Sequence, residues 1–258
     1  MNKYIKTIII INGLLIPVVV IYLIIINFNK DSGLDSYSED NDAVIVGEKL
    51  DKAKNDSMAL QGINYESPEQ VYNSTNYYLP ISVMTYEQAK DYKAMRDKAG
   101  DISPSFSNYY NVLFLDKDYN VIAKLLDKKA SITEIRINRG GYNHNDTEID
   151  KTVKNIAYLI SFTDSNKDGY LDWKDNHDLY ISDLNGLNLM QVTKNLEIID
   201  FNFINANTEI FVKYKERSTI REEYKRNKFG VFKINTAKWI VLKDLDSKLD
   251  EIEKSLIK

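Results

Sequence analysis

The sequence predicts a mainly β protein. A transmembrane helix comes first. An antiparallel β domain follows, propeller-like or sandwich-like, with about three hairpin units and a C-terminal amphipathic helix. Three observations predict this. The N-terminus holds a long apolar run with no charge. From Tyr77 on, short runs rich in β-branched and aromatic residues recur between turn residues, as the strands of an all-β domain do. Three of those stretches also look alike.

Lys3 and Lys6 precede "TIIIINGLLIPVVVIYLIIINFN", and the next charge is Lys30. A helix needs about 20 apolar residues to span a bilayer. A cleaved signal would be shorter and end in small residues, whereas this run ends in Ile-Ile-Asn-Phe-Asn. Residues 1–29 are therefore expected to be a cytoplasmic tip and a retained single-pass anchor in contact with membrane lipid. Two lysines before the span and one after it favour a cytoplasmic N-terminus. That places the remainder on the periplasmic, extracytoplasmic side of the inner membrane. Residues 30–75 are polar and read as a tether. The chain has no cysteine, which excludes disulfides, thiolate metal sites and a cysteine nucleophile. A net charge of -4 gives no bulk attraction to nucleic acid.

The β domain is expected over 76–258. "YYLPISVMTY" reads as a strand, and "YEQAKDYKAMRDKAG" as a helix that stops at Gly100. Then come the three similar hairpins, "YNVLFLDKDYNVIAKLLDK", "HDLYISDLNGLNLMQVTK" and "KFGVFKINTAKWIVLKDLD". Asp116-Lys117-Asp118, Asn185-Gly186 and Asn235-Thr236 fill their turns, and Phe114, Ile181 and Phe232 occupy equivalent places. "ITEIRI" with "NIAYLISF" precedes the second hairpin, and "LEIIDFNFI" with "TEIFVKYK" the third. A unit of four strands thus repeats, which is the pattern of propeller blades. "DLYISDLNGLNLMQVT" resembles the blade hairpin of Tol-type periplasmic propellers. The stretch from Tyr77 is also similar to membrane-anchored proteins of Bacteroidetes-like bacteria, a resemblance that implies a location and no activity. Closed propellers need about four blades, and two full units and one partial unit fit here. An open array or a compact sandwich is expected, with an edge that needs cover. "LDSKLDEIEKSLIK" puts Leu245, Leu249, Ile252 and Leu256 on one helical face. That helix is expected to pack on its own domain, with docking onto a partner as the alternative.

Residues 164–175 read "DSNKDGYLDWKD". Asp164, Asn166 and Asp168 alternate, so their oxygens can converge as the chain turns. Gly169 permits the bend, Tyr170 offers its carbonyl, and Asp172 and Asp175 complete the spacing of a calcium loop. Calmodulin-type and dockerin loops are followed by a helix. This one lies between two expected strands and more closely resembles the loops of integrin-like propellers, where the ninth-position Asp closes the shell. The resemblance favours Asp172 over Asp175 as the direct ligand. Calcium is then expected as a structural cofactor that ties two strands together.

Catalytic motifs are missing from the sequence: no Gly-x-Ser-x-Gly, His-Glu-x-x-His or phosphate-binding glycine loop occurs. His144 sits in the polar loop "RGGYNHNDTE", and His177 follows the calcium loop. No catalytic residue is assigned. The expectation is a non-enzymatic envelope protein that binds a protein partner as an accessory subunit or scaffold. A carbohydrate- or small-ligand-binding module is the alternative, and a hydrolase ranks below both.

Overall fold

The computed structural model describes residues 43–55, 61–65, 67–85, 108–137, 150–217 and 227–256. All of them belong to one compact unit, Asp42–Lys258. The expected anchor, the expected helix before Gly100 and the loop of His144 lie outside the described residues. Among the described residues no helix is long and apolar enough to cross a membrane.

The described chain opens with β1 (Val44–Ile45) and helix α1 (Gly47–Asn55). Sheet 1 follows, from β2 (Gln61–Tyr65), β3 (Glu69–Gln70), β4 (Tyr77–Thr85), β5 (Asn111–Leu115) and β6 (Val121–Lys124). Its order is β2-β4-β5-β6, with β3 also paired to β4. Sheet 2 comprises β7 (Ser131–Ile137), β8 (Asn155–Ser161), β10 (Asp178–Asp183) and β11 (Met190–Gln191), in that order across the sheet. The short β9 (Tyr170–Leu171) leaves this path and pairs with β1. Sheet 3 is a meander of β12 (Leu196–Ile204), β13 (Glu209–Glu216), β14 (Lys228–Lys233) and β15 (Lys238–Val241). Helix α2 (Lys243–Leu256) ends the described chain. All strand pairings are antiparallel.

The repeat read from the sequence is present in the backbone. Phe114, Ile181 and Phe232 lie on the third main strand of their sheets, and all three are buried. Five residues after each come Tyr119, Gly186 and Ala237, with φ of 64°, 74° and 49°. Their N–H groups donate to the carbonyls of Asp116, Asp183 and Ile234 at 3.0, 3.1 and 3.3 Å. One turn geometry therefore serves three different sequences. In the first two, the aspartate side chain caps the turn. Asp116 accepts from the N–H groups of Asp118 and Asn120, and Asp183 from those of Asn185 and Leu187.

Sheet 2 is the middle layer. Ile156, Tyr158 and Ile160 on one face pack with Tyr78, Val112 and Phe114 of sheet 1. Ala157, Leu179 and Ile181 on the other pack with Phe201, Ile210, Val212 and Phe232 of sheet 3. Two covered faces explain why "NIAYLIS" reads as an unbroken apolar run, whereas "EIFVKYKE" alternates. Burying each of these large side chains stabilises by roughly 1.5–3 kcal/mol. Ile181 and Phe232 face each other across one layer, while Phe114 meets the opposite face of sheet 2. The step from sheet 1 to sheet 2 is therefore not repeated from sheet 2 to sheet 3. No closed barrel forms among the described strands.

Pro80 sits inside β4 because the ladder is broken beside it. The Ile81 carbonyl accepts from Tyr110 N–H at 2.6 Å, so Ile81 points its polar groups toward β5. By alternation Pro80 faces the other way, toward the gap between Tyr65 in β2 and Glu69 in β3. No donor is needed there.

Two expectations are corrected. The polar stretch 30–75 is not a tether from Ala43 on. Val44 and Val71 are buried, and β1, β2 and β3 all pair into the domain. Their partners lie far along the chain, so local polarity did not reveal them. The expected packing of the C-terminal helix is met only in part: α2 touches β14, yet it has no fully buried residue.

Candidate metal centre

Loop 164–175 leaves β8 and enters β10, with β9 in its middle. Its left-handed residues are Lys167 (φ 61°) and Gly169 (φ 85°). A Cβ on Gly169 would stand 2.7 Å from Lys49 Cδ, because α1 lies against the loop here. The Lys49 ammonium sits 3.6 Å from the Tyr170 ring centroid.

Most side chains of the loop serve its own backbone. Asp164 accepts from Asp168 N–H at 3.2 Å and from Gly169 N–H at 2.8 Å. Asn166 Oδ1 accepts from Asp168 N–H at 3.1 Å. Asp168 accepts from Tyr170 N–H at 2.9 Å and from the Asn166 amide at 2.9 Å. Asp175 is buried and committed at both oxygens: Oδ1 accepts from Ser165 N–H and Oγ–H, and Oδ2 from Asp172 N–H. Ser165 is thus the residue that closes the loop, and no sequence signal marked it. Its partner lies ten positions away, at the other end of the loop.

Asp172 is the exception. It is 1% exposed, and its Oδ1 accepts from Lys174 N–H at 2.8 Å. Its Oδ2 is buried with no hydrogen-bond donor. The Lys174 ammonium is 4.0 Å away, too far for a hydrogen bond. Burial pushes the Asp172 carboxyl above its ordinary pKa, and the nearby charges of Asp168 and Asp175 push it the same way. A buried carboxylate oxygen without a donor is costly.

The Tyr170 carbonyl is a further oxygen of the loop. Gly169 C=O accepts from Val46 N–H at 3.1 Å, so Gly169 points its polar groups toward β1. Tyr170 alternates with it and points its carbonyl away from β1, on the side where its own N–H meets Asp168 Oδ1. The loop therefore offers an all-oxygen donor set, suited to a hard cation. Among the described residues no three carboxylates or imidazoles converge into a ready-made cage. A cation here would draw on the Asn166 amide and the Tyr170 carbonyl as well as on carboxylates.

The structure also makes a contact that the sequence concealed. His177 Nε2 lies 2.9 Å from Ser131 Oγ, which is 2.5 Å from Asn108 Oδ1. The Nδ1 atom faces the Asp175 carbonyl at 3.0 Å. Serine beside histidine is the arrangement of an activated nucleophile. Ser131 is 0% exposed, so a substrate has no access to it, and the contact serves to hold β7 against the end of the loop. Burial lowers the His177 pKa to about 4, with the Arg217 cation acting in the same direction.

No protein-family model matches this chain, and comparison with curated proteins finds no similar sequence.

Proposed function

We propose that this chain is a membrane-anchored, non-enzymatic envelope protein. Its β domain is stabilised by a structural Ca²⁺ in loop 164–175 and binds a protein partner as an accessory subunit or scaffold. The observation that carries the calcium reading is the donorless Oδ2 of buried Asp172 within an all-oxygen loop. Asp164, Asn166, Asp168, the Tyr170 carbonyl and Asp172 would hold the ion, and Asp175, already bonded to Ser165, would brace them. The ion would supply the positive charge that these carboxylates lack. The residues do the rest: β9 leaves the loop paired to β1, and Gln61 clamps β1 from the other side. The apolar run at residues 8–26 and the positive charges before it support the anchor.

A second reading, a carbohydrate-binding module, draws on sheet 1. There Tyr119 is 66% exposed and lies 5.3 Å from the Tyr77 ring, and Tyr65 is 60% exposed.

Calcium titration with thermal unfolding tests the first reading. Extracellular-type sites bind at about 10⁻⁴–10⁻³ M, so about 10 mM Ca²⁺ should add roughly 1.4–2.7 kcal/mol. At this chain length that amounts to a Tm rise of about 3–10 °C. Asp172→Asn should abolish the response, yet be at least as stable as the unsubstituted chain in chelator, since it removes a buried charge. Equal responses from both chains would sink the site. Affinity purification of the full chain in mild detergent with calcium, followed by mass spectrometry, tests the partner. Recovery of the chain without a stoichiometric envelope protein would shift the reading to the ligand-binding module.

A further inference from the structure

The apolar stripe of α2 is only partly covered in this structure: Leu242 and Leu249 are half-buried where the helix meets β14, and the rest of the stripe is exposed. Leu245 is 38% exposed, Ile252 59% and Leu256 81%, so the stripe is barest in the last turns of the helix. The Leu242 carbonyl accepts the first helical bond from Asp246 N–H at 3.1 Å, which makes Leu242 the N-cap of the same helix. Together Leu242, Leu245, Leu249, Ile252 and Leu256 are spaced three, four, three and four residues apart. That is the seam of a coiled coil, with Leu242, Leu249 and Leu256 at a and Leu245 and Ile252 at d. A stripe that packs on its own globular domain is usually broader than this. The helix has 14 residues, a length at which an isolated helix is marginal in water.

The flanking charges identify the occupant. Lys248 falls at g and Glu253 at the following e. In a parallel pair of identical helices, Lys248 of each copy lies beside Glu253 of the other, twice over. An antiparallel pair would instead set Asp246 against Glu253, acid against acid. Lys248 bonds Glu251 at 2.6 Å within the helix, but that pair is exposed, so exchanging it costs little. We propose that α2 forms a parallel two-stranded coiled coil with a second copy of this chain. Two heptads give a weak association that holds best where copies are concentrated, as they would be on a shared surface. This inference rests on α2 alone and holds whether or not loop 164–175 takes an ion.

The natural absence of cysteine makes the test clean. Leu245→Cys, at d, and Ser247→Cys, on the outer face, are each introduced as the sole thiol in the full chain in mild detergent and oxidised. Disulfide dimer is expected several-fold more with Leu245→Cys than with Ser247→Cys. Because an antiparallel pair keeps the two copies of residue 245 at opposite ends, it gives no such excess. Lys248→Glu in the Leu245→Cys background should lower the yield several-fold, and adding Glu253→Lys should restore it. Sedimentation of the unsubstituted chain gives an independent readout that involves no engineered thiol. Dimer that Ile252→Asp converts to monomer supports the proposal. A monomer at all concentrations, equal cross-linking at 245 and 247, or no rescue by the charge exchange would overturn it.

Discussion

His177 shows how a single side chain can set the pH range of a fold. Its imidazole is 9% exposed and lies against Ser131 and the Asp175 carbonyl, where burial favours the neutral form. The folded pKa of about 4 is below the ordinary histidine value of 6.5. Stability from this group is therefore fully present above pH 6.5 and is lost as pH falls toward 4, because the unfolded chain takes up a proton that the folded chain refuses. The loss approaches about 3 kcal/mol across that window. Asp172 acts in the opposite sense. Its raised pKa means that the ion-free fold gains stability as pH drops, through the region just above the ordinary carboxylate range. Urea unfolding in chelator between pH 7 and 4.5 should show the histidine loss, and His177→Gln should flatten it. An unchanged slope in the variant would assign the dependence elsewhere. None of this was legible in the sequence. Ser131 and Asn108 are remote from His177 along the chain, and a loop-end histidine gives no sign of burial.

At the scale of elements, legibility followed length and pattern. β13 and β8 declare themselves because each is long enough to show alternation or a sustained apolar run. The turns of sheets 1 and 2 declare themselves through Asp116-Lys117-Asp118 and Asn185-Gly186. β1 gave no signal, since two residues cannot show a period and its partner β9 lies within a loop read for its metal ligands. β2, "QGINY", is held as much by its ladder to β4 as by its composition. The Gln61 side chain is the link between these elements, accepting from Ile45 N–H at 3.0 Å and donating to the Ala43 carbonyl at 2.6 Å. Hydrogen exchange should therefore report on β1 directly. Calcium is expected to slow the amides of residues 44–46 and 169–171 at least several-fold while leaving sheet 3 unchanged. Gln61→Ala should raise exchange at Ile45 with or without the ion. Uniform slowing across the domain would mean that the loop does not act locally.

For the molecule as a whole, the order of layers matters more than the strand count. Sheet 2 contributes to both cores, so sheets 1 and 3 each depend on it. Sheets 1 and 2 approach each other tightly at Gly186, where an added Cβ would stand 2.1 Å from the Phe114 ring. The same glycine has φ 74°. Gly186→Ala should therefore incur both backbone strain and overpacking, roughly 2–4 kcal/mol in all. Adding Phe114→Leu should return part of that loss, and a double-mutant cycle with no coupling would refute the contact. The sequence placed Gly186 in a turn, but it could not show that an aromatic ring from another sheet requires a glycine there. The junction of β1 with β9 also determines how the domain bears tension. A pull on the chain before Ala43 arrives first at two Gln61 bonds and a two-residue ladder, ahead of the three larger sheets. That junction is expected to yield first, and its partner strand lies inside loop 164–175. Whatever stiffens the loop is therefore expected to raise the force at which β1 peels from β9, as a mechanical fuse would.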